Sequence, residues 1–500
     1  MCSRKTTRQQ CFFMKKKKDD SWLRPRGYIH FTKKFNRLSK EDCKFLTSYV
    51  STPVTVAQHS FFPLIHRPII TRRYKVVGKN SDGSIKRAHW TLDKNSGKKK
   101  STAKTRHIFY STHIDAYIYS YFCKVILGPL YEKKLLETPG VSECVSAYRK
   151  IPVKAGASNN KSNIHFADDV FKFIKNYGSC VALTFDVSAF FDSLNQKHLK
   201  QQWCALLNRK NLPPDHHNVF KSLTRISFVE YYKLLKEFGI KNQNKLNGKK
   251  YISFCKDVEQ FQKQVQAKKL IKKHPYRISS ESTHPEEYIG IPQGTPISAF
   301  LSNLYMLEFD KFMHKEIVEK RGGLYRRYSD DIVVVCKQES KDEIEGLVIN
   351  SIKEKYKLTI NKEKVDISVF TKKEKLSCDK PLRYLGFEFN GETALIKSAS
   401  LSKFYRQMKR AVKSQAGKAW FNKKVVGKDA TTARIYKHDL YKRYSHLSAK
   451  GKERSFYVYA KDAAKIMGEK VILSQLSQSW KNLDTEIKKY EKKYKLNSTK

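Results

Sequence analysis

Two adjacent aspartates between two strand-forming segments constrain the fold of this chain more than any other feature. Residues 324–335 have the sequence LYRRYSDDIVVV, in which the run from Ile332 to Val335 is strongly β-prone. This pattern predicts a strand, a tight turn that holds Asp330 and Asp331, and a second strand. Two like charges at the tip of a hairpin repel each other unless cations compensate them. The pattern therefore favours a functional, cation-binding hairpin.

A third aspartate follows another predicted strand. Residues 181–185 (VALTF) form a short β-rich run that ends at Asp186, and a helical stretch follows from Asp192. At a strand end, the side chain of Asp186 can project from the edge of a sheet into a cleft. Nucleotidyl transfer needs two divalent cations, which hard oxygen ligands from different segments must hold. We therefore predict that Asp186, Asp330 and Asp331 converge on two metal ions.

The charge balance points to a polyanionic partner. The chain of 500 residues has 100 Lys and Arg against 47 Asp and Glu, a net charge of +53 that is spread along the sequence. Self-repulsion at this charge destabilises a compact protein that has no anionic partner, which disfavours the alternative of a merely soluble basic protein. With 40% hydrophobic and 12% aromatic residues, the chain is expected to fold into two or three structural units.

Other classes are disfavoured by what the sequence lacks. The ten cysteines include no CxxC pair, so neither a zinc module nor a disulfide framework is indicated. No apolar run approaches the ~20 residues that span a bilayer, and no signal-peptide pattern opens the chain. We predict a cytoplasmic protein without a membrane partner. Residues 1–21 are predicted to be a basic tail, of which residues 1–13 are a dispensable extension.

Local patterns predict several further elements. Residues 76–104 are rich in Gly, Ser, Asn and Lys, which favours a basic, mobile hairpin. Apolar residues at helical spacing predict a core helix over residues 114–136 that Gly128-Pro129 closes. Residues 200–288 are predicted to be a partly ordered insertion. The last hundred residues hold 26 Lys and Arg against 8 Asp and Glu, which predicts a basic helical appendage.

Five segments resemble, in the same order, the motifs of reverse transcriptases: TFDVSAFFDSL at 184–194, GIPQGTPISAFLSNLYM at 290–306, YSDDIVVV at 328–335, LTINKEKV at 358–365 and LRYLGFEF at 382–389. The resemblance implies an α+β fold of the right-hand polymerase class, with fingers, a palm with an antiparallel sheet, a thumb and a helical C-terminal region. The implied divisions are 22–180 for an N-terminal extension and fingers, 181–390 for the palm with 200–288 inserted, and 391–500 for the basic thumb and C-terminal domain.

The resemblance also implies roles for individual residues. The catalytic set is Asp186, Asp330, Asp331 and Lys364, and the metal ligands are the three aspartates with the main-chain carbonyl of Val187. The substrate-binding set is Lys104, Arg106, Phe191, Gln293 and Gly294. Lys104 and Arg106 would grip the triphosphate, with solvated surface charges as the alternative. Phe191 would be an aromatic gate against the ribose 2′-hydroxyl, which implies deoxynucleotides. Lys364 would protonate departing pyrophosphate, with Lys362 as the alternative.

Other conspicuous residues receive structural interpretations. Asp168 and Asp169 imitate the aromatic-x-Asp-Asp pattern, but helical spacing follows them, so we place them in a first helical turn, where the dipole favours acids. Asp192 is interpreted as a helix N-cap. His216-His217, beside two prolines, is interpreted as a loop pair without a metal. The C-terminal aromatic residues stay open between stacking on nucleic acid and core packing: Tyr405, Trp420, Tyr436, Tyr441, Tyr444 and Tyr457.

Three more segments, RPRGYIHF, HSFFPLI and VSAYRK, are similar to reverse transcriptases of bacterial antiviral defence, a group that includes abortive-infection enzymes. This similarity implies a magnesium-dependent RNA-directed DNA polymerase in anti-phage defence, with Mn²⁺ as an alternative metal. The implied partners are deoxynucleoside triphosphates, an RNA template of the noncoding kind and a DNA product. Other readings stay open: a retron-type or group II intron-type enzyme, template-independent or protein-primed synthesis, an RNA-dependent RNA polymerase, or an RNA-binding scaffold with an inactive palm. The oligomeric state, a homo-oligomer included, is also open.

Overall fold

The computed structural model describes most of the chain: residues 20–32, 35, 38–72, 74–93, 96–240, 253–273, 277–278, 288–361, 364–426, 434–447 and 455–496. The predicted extension at residues 1–13 and the alternative lysine, Lys362, lie outside these residues. The chain divides into two compact units. The first unit is Met1–Thr138 with Ala189–Leu307, and the second unit is Pro139–Ser188 with Glu308–Lys500.

The strands in chain order are β1 Leu64–Thr71, β2 Lys75–Lys79, β3 Ile85–Ala88, β4 Trp90–Leu92, β5 Lys99–Ser101, β6 Lys104–Tyr110, β7 Cys180–Asp186, β8 Ser227–Glu230, β9 Lys272–Lys273, β10 Arg277–Ile278, β11 Tyr288–Ile289, β12 Leu324–Tyr328, β13 Asp331–Cys336, β14 Asp366–Lys372, β15 Leu376–Cys378, β16 Leu382–Tyr384, β17 Phe387–Phe389 and β18 Ala394–Ile396.

The α-helices are α1 Lys40–Ser51, α2 Pro53–Ala57, α3 His113–Tyr121, α4 Gly128–Leu136, α5 Val141–Cys144, α6 Asn163–Tyr177, α7 Phe190–Ser193, α8 Gln196–Leu206, α9 Pro214–Thr224, α10 Tyr231–Glu237, α11 Val258–Phe261, α12 Ser298–Tyr305, α13 Leu307–Met313, α14 Lys341–Glu354, α15 Ser398–Val426, α16 Lys437–Tyr444, α17 Phe456–Met467, α18 Val471–Ser474 and α19 Ser479–Tyr494. Single π-helical turns occur at Phe122–Leu127, Gln262–Gln266 and His314–Glu319.

The second unit is built on a five-stranded antiparallel sheet with the strand order β12-β13-β7-β14-β15. Its central strand, β7, is buried from Cys180 to Leu183, as the apolar run in the sequence requires. Helix α6 and the small sheet β16-β17-β18 share an apolar core with one face of this sheet, in which Ala182, Phe171 and Phe389 take part. The predicted α+β class with an antiparallel palm sheet is confirmed.

The described part of the C-terminal hundred residues is helical, as predicted, and α15, α16 and α19 share a core that includes Met408, Val412 and Leu483. Four of the six aromatic side chains that the sequence left open between stacking and core packing lie against apolar cores, namely Tyr405, Tyr441, Tyr444 and Tyr457. The other two, Trp420 and Tyr436, are 41% and 50% exposed. Core packing therefore accounts for most of these residues, and only the last two keep faces open to a partner.

The first unit contains a four-stranded sheet in the order β6-β1-β8-β9, in which β1 runs parallel to β8 and the other pairs are antiparallel. The basic segment 76–104 forms two separate hairpins, β2-β3 and β4-β5, rather than the single hairpin that the sequence predicts. The chain turns at Asp82 and Gly83 between β2 and β3. A second turn, which includes Asp93 and Gly97, joins β4 to β5.

Three sequence interpretations of helix ends are wrong. Gly128-Pro129 does not end the core helix. A π-helical turn at Phe122–Leu127 precedes the proline, and the helix continues from Gly128 to Leu136 with the proline in its first turn. Asp192 lies inside the short helix α7, and Asn195 caps the next helix through its bond from the His198 amide. The prolines before His216-His217 start a helix, α9, instead of a loop.

The placement of Asp168 and Asp169 is also wrong. Helix α6 begins at Asn163, where Ser162 supplies the cap, so both acids lie in the second turn and gain little from the helix dipole. Asp168 pairs with Lys172 at 2.7 Å and Asp169 with Lys161 at 2.8 Å. Both acids are therefore ion-pair partners within the fold, Asp168 at a buried position and Asp169 at an exposed one.

Among the helices of the described residues, none combines the length and apolar character that a membrane span requires.

Candidate active site

The palm sheet of the second unit brings the three aspartates together. Asp331 is the direct antiparallel partner of Asp186 in the pairing of β13 with β7. Side chains of such partners lie on the same face, with Cβ atoms about 5 Å apart. The main-chain carbonyl of Asp330 accepts a hydrogen bond from the Val187 amide at 3.2 Å, so the turn is anchored beside the end of β7. The predicted convergence of these segments is present.

The aspartate turn is a two-residue hairpin loop, as the sequence predicts. Tyr328 pairs with Asp331, which leaves Ser329 and Asp330 as the loop. Ser329 has a φ of 62°, a conformation that a short hairpin loop requires at its first position. A non-glycine residue pays about 1–2 kcal/mol for this conformation, so its surroundings must hold it in place.

Val187 has its predicted place beside the aspartates. Its neighbours Asp186 and Ser188 make the main-chain hydrogen bonds to the segment at 359–361, through Asn361 and Thr359. These two hydrogen bonds use the carbonyl of Asp186 and the amide of Ser188. The carbonyl of Val187 takes part in neither of them.

A cavity of about 620 Å³ opens on this edge of the sheet. Its lining combines the acids Asp186, Asp331 and Asp366 with the cations Lys364, Lys380, Arg383 and Lys397. Lys364 forms an ion pair with Asp186, and Lys380 forms one with Asp366. The Nε of Arg383 lies 3.0 Å from Glu388. Acidic and basic side chains in one cavity suit a ligand that carries phosphate together with a cation.

The cavity disfavours the ionised form of Asp331. Desolvation, and after it the charges of Asp330 and Asp186, raise the pKa of Asp331 to about 6, against the opposing effect of Lys364 and Lys397. The side chain still reaches solvent at the mouth of the cavity, so its ionised form remains accessible at neutral pH. A bound cation would stabilise the ionised carboxylate and so offset both the desolvation and the repulsion that raise this pKa.

The donor set fits divalent metals, although the side chains are not arranged around one. No group of three or more His, Cys, Asp or Glu side chains in the described residues has the geometry to hold a metal ion. The carboxylate of Asp186 faces the Lys364 ammonium instead, which shows that this position attracts a cation. Carboxylate oxygens suit Mg²⁺ and Mn²⁺. Asp186, Asp330 and Asp331, with the Val187 carbonyl, would hold the metals once Asp186 exchanges its lysine partner.

The predicted nucleotide-contacting loop lies in the first unit. The amide of Phe109, on β6, donates to the carbonyl of Gln293 at 2.8 Å. Gly294 follows with a φ of 117°, and a Cβ there would lie 2.6 Å from the Phe109 carbonyl oxygen and 2.9 Å from Ile108. Only glycine fits this close approach. The loop is therefore docked on the strand that also carries Lys104 and Arg106.

The other predicted substrate residues of the first unit lie on the surface. Lys104 and Arg106 are exposed on β6, opposite Thr71 and Ile69 of β1. Phe191 lies in α7 and is partly exposed, with its ring 5.7 Å from that of Phe190. All three side chains remain available to a ligand.

Sequence reasoning missed part of the cavity lining and one buried ion pair. Lys380, Lys397 and Asp366 lie outside the residues assigned from the motifs, although Arg383 belongs to the quoted LRYLGFEF segment. Asp310 pairs with Arg327 in the interior of the second unit. The one sequence signal of this ion pair is the position of Arg327 directly before the YSDD segment. Nothing in the sequence marks Asp310 as the partner of Arg327.

The comparison with protein families agrees with this site. Residues 205–389 match the family model described as "Reverse transcriptase (RNA-dependent DNA polymerase)". The chain therefore carries a reverse transcriptase domain, and this confirms the class of domain, RNA-directed DNA polymerase, that the motifs predict. The matched range contains Asp330, Asp331 and Lys364 and begins after Asp186.

Solved structures of telomerases are similar to this chain at low identity. The apo telomerase of Candida tropicalis without its C-terminal domain is 12% identical, with a TM-score of 0.35 over 70% of this chain and 59% of that one. The Candida albicans telomerase with a fragment of telomeric RNA is 13% identical, with a TM-score of 0.34 over 91% of this chain and 66% of that one. This chain thus spans about three fifths to two thirds of the length of these proteins. No curated protein sequence matches the chain.

Proposed function

We propose that this protein is a DNA polymerase that copies an RNA template, with its chemistry at Asp186, Asp330 and Asp331. One observation carries the proposal: β13 places Asp331 directly opposite Asp186, with Asp330 in the adjoining turn. The matched reverse transcriptase domain supports the same conclusion. Acids from two segments that are remote in the sequence meet at one sheet edge, beside a cavity whose lining includes four basic residues.

The reaction joins a 3′-hydroxyl oxygen to the α-phosphorus of a nucleoside triphosphate, and the bond from that phosphorus to pyrophosphate breaks. Mg²⁺ or Mn²⁺, held by the three acids, would supply activation of the hydroxyl and neutralisation of the phosphate charge. Lys364 lines the same cavity, and we assign to it the proton that departing pyrophosphate takes up. Lys397 and Arg383 add positive charge for phosphate oxygens.

DNA synthesis by the purified protein tests this proposal. Wild-type protein with Mg²⁺, deoxynucleotides and a primed RNA template is expected to make DNA, and Asp330→Ala is expected to make none. Asp169→Ala is the matched control, because Asp169 is a surface acid paired with Lys161 on α6. Equal product from Asp330→Ala and wild type would refute the site. RNA binding without synthesis by the wild type would instead indicate a scaffold with an inactive palm.

The nucleotide preference separates DNA synthesis from RNA synthesis. The aromatic side chain of Phe191, in the short helix that follows Asp186, supports the choice of deoxynucleotides. Parallel reactions with deoxynucleotides and ribonucleotides measure that choice directly. A preference of the wild-type protein for ribonucleotides would show an RNA polymerase.

For the biological role, we propose anti-phage defence in the bacterial cytoplasm with a noncoding RNA as template. The support is the similarity of RPRGYIHF, HSFFPLI and VSAYRK to the enzymes of that group. Sequencing the nucleic acids that copurify with the protein, with and without phage infection, identifies template and product together. A defined noncoding RNA and its complementary DNA are expected. An intron or retron RNA in their place would contradict the defence assignment.

A further inference from the structure

A fully buried ion pair lies behind the aspartate turn. Arg327, on β12, and Asp310, on α13, both have side chains that are 0% exposed. The guanidinium Nε donates to Asp310 Oδ1 at 2.7 Å, and its Nη2 donates to Oδ2 at 2.6 Å. Tyr325 Oη donates to Oδ1 at 2.6 Å. The carboxylate therefore has three donors, and the guanidinium is held in one orientation.

Stability alone does not account for this pair. Removing two charges from water costs several kcal/mol for each ion, and apolar residues of the same size at such a position are often equally stable or better. A buried pair of this kind points to a role in specifying a conformation, which its other contacts identify. Another deeply buried pair within the described residues is His59 with Asp115 in the first unit, whose side chains are 6% and 0% exposed.

The remaining contacts of Arg327 point to the turn. Its Nη1 donates to the main-chain carbonyl of Ser329 at 3.0 Å. Ser329 is buried, has a φ of 62° and directly precedes Asp330. Its hydroxyl also lies 3.2 Å from Tyr148 Oη. The main chain of Arg327 is tied down as well, because its carbonyl accepts from the Ser146 amide at 3.0 Å.

We propose that Arg327, oriented by Asp310, is a positioning residue that holds Ser329 in its unfavourable conformation and so sets the location of the Asp330 carboxylate. This inference rests on the proposed polymerase function. The chain of contacts runs from Asp310 through Arg327 to the Ser329 carbonyl, and from the Asp330 carbonyl to the amide of Val187 on the neighbouring segment. The arginine is thus one of the attachments that hold the turn, together with the Tyr148 hydroxyl and the Val187 amide.

An apolar replacement of the pair separates positioning from stability. The double variant Asp310→Leu/Arg327→Met removes both charges together and leaves no unpaired ion. We expect the melting temperature of this variant to stay within a few degrees of the wild-type value. Its kcat for DNA synthesis should fall by roughly tenfold to a hundredfold, and its KM for deoxynucleotide should change less. The same replacement of a more exposed pair on α19, Asp484→Leu/Lys488→Met, is the control and should synthesise DNA at the wild-type rate.

Arg327→Lys is the second variant, and it covers the case in which the double variant does not fold. Lysine keeps the charge opposite Asp310, but it cannot bond both carboxylate oxygens in a plane and reach Ser329. The same fall in kcat is expected. Wild-type kcat in either folded variant would overturn the proposal.

Mn²⁺ binding gives a readout that does not depend on synthesis. Loss of the free Mn²⁺ signal in electron paramagnetic resonance measures binding to wild type, Asp330→Ala and both Arg327 variants. We expect the Arg327 variants to bind Mn²⁺ more weakly than wild type does, because Asp330 is displaced. Unchanged Mn²⁺ affinity would overturn the positioning role even if the wild type made no DNA. A wild type that binds Mn²⁺ but makes no DNA would count against the polymerase function alone.

Discussion

Asp331 lies directly opposite Asp186 in the antiparallel pairing of β13 with β7, and both side chains line one cavity. Desolvation is the main cause of the raised pKa of Asp331, and repulsion by Asp330 and by Asp186 adds to it. The chain tolerates the arrangement because Lys364 and Lys397 lower the same pKa. The site is thus less stable without a bound cation than a neutral cluster would be.

Asp331→Asn is expected to stabilise the metal-free protein while it reduces synthesis. A carboxyl whose pKa rises on folding destabilises the folded state once pH exceeds the unfolded value of 3.8, and the full effect is reached above about 6. At pH 8 without metal, the variant should therefore melt roughly 2 °C higher than wild type, and the difference should vanish near pH 4. Synthesis should fall by roughly a hundredfold or more. Thermal melts at both pH values and primer extension provide the measurements; a lower melting temperature of the variant at pH 8 would contradict the repulsion.

Gly294→Ala is expected to disrupt the loop at Gln293. The added Cβ would meet the Phe109 carbonyl oxygen at 2.6 Å in a backbone conformation that side chains rarely adopt. We expect a loss of about 2 kcal/mol or more in unfolding free energy and a higher KM for deoxynucleotide. Gly322→Ala is the control, since Gly322 has a φ of 61° but open space around it, so only about 1 kcal/mol should be lost. Urea unfolding compares the two; equal losses would remove the steric argument.

Phe191→Ala is expected to weaken selection against ribonucleotides. Loss of the ring would open the space that the 2′-hydroxyl needs, and a single steric contact of this kind changes selectivity by about tenfold to a few hundredfold. The ratio of kcat/KM for a deoxynucleotide and the matching ribonucleotide measures the effect. Phe191→Tyr keeps the ring and should keep the selectivity. If Phe191→Ala retained the wild-type ratio, another residue would have to discriminate the sugars.

The first unit is expected to lose stability as pH falls below about 6.5, because of His30. Its Nδ1 accepts from the Phe31 amide at 2.8 Å, and its Nε2 lies 3.2 Å from the Tyr110 carbonyl, so the neutral ring satisfies both contacts. Burial, and after it the nearby His113, lowers the pKa of His30 from 6.5 to about 3. Burial also lowers the pKa of His113 from 6.5 to about 4.

Because both imidazoles have a lower pKa in the folded state than in the unfolded chain, the stability they confer is complete above pH 6.5 and is lost as pH falls toward 3. Each contributes a slope of up to about 1.4 kcal/mol per pH unit in this window. His30→Gln should reduce the slope of stability against pH by the contribution of one histidine. His438 has a side chain that is 87% exposed, so His438→Gln should leave the slope unchanged. Urea unfolding between pH 4 and 7 gives the slopes. An unchanged slope in His30→Gln would contradict the assignment.

Local sequence was sufficient for the strands and turns that carry the acids. The run VALTF and the segment LYRRYSDDIVVV became β7, β12 and β13 because β-branched and apolar residues pack well in a buried sheet. Helix boundaries were less well predicted. Asp192, Asp168 and Asp169 were misplaced because caps at Ser162 and Asn195, and a left-handed Ala189 before α7, shifted the helix starts.

The residues that support the acids could not be found from local patterns. Arg327 and Asp310 belong to different elements, and only the packing of α13 behind β12 buries them together. Lys397 and Lys380 line the cavity because the strands that follow the palm sheet fold back beside it. No periodicity in the sequence encodes a contact of this kind, since charged residues at such positions are indistinguishable from solvated ones.

The sequence by itself determined the chemistry of this protein: three acids in two strand-end motifs, an excess of positive charge and a glycine loop, each recognisable because it depends on residues close together in the chain. Only the tertiary structure decided which atoms meet. The position of β7 between β13 and β14 sets Asp186 opposite Asp331, and a buried arginine sets the turn beside them. The reason is physical: strand register follows from the burial of whole apolar faces, a property of the packed sheet that no single segment contains.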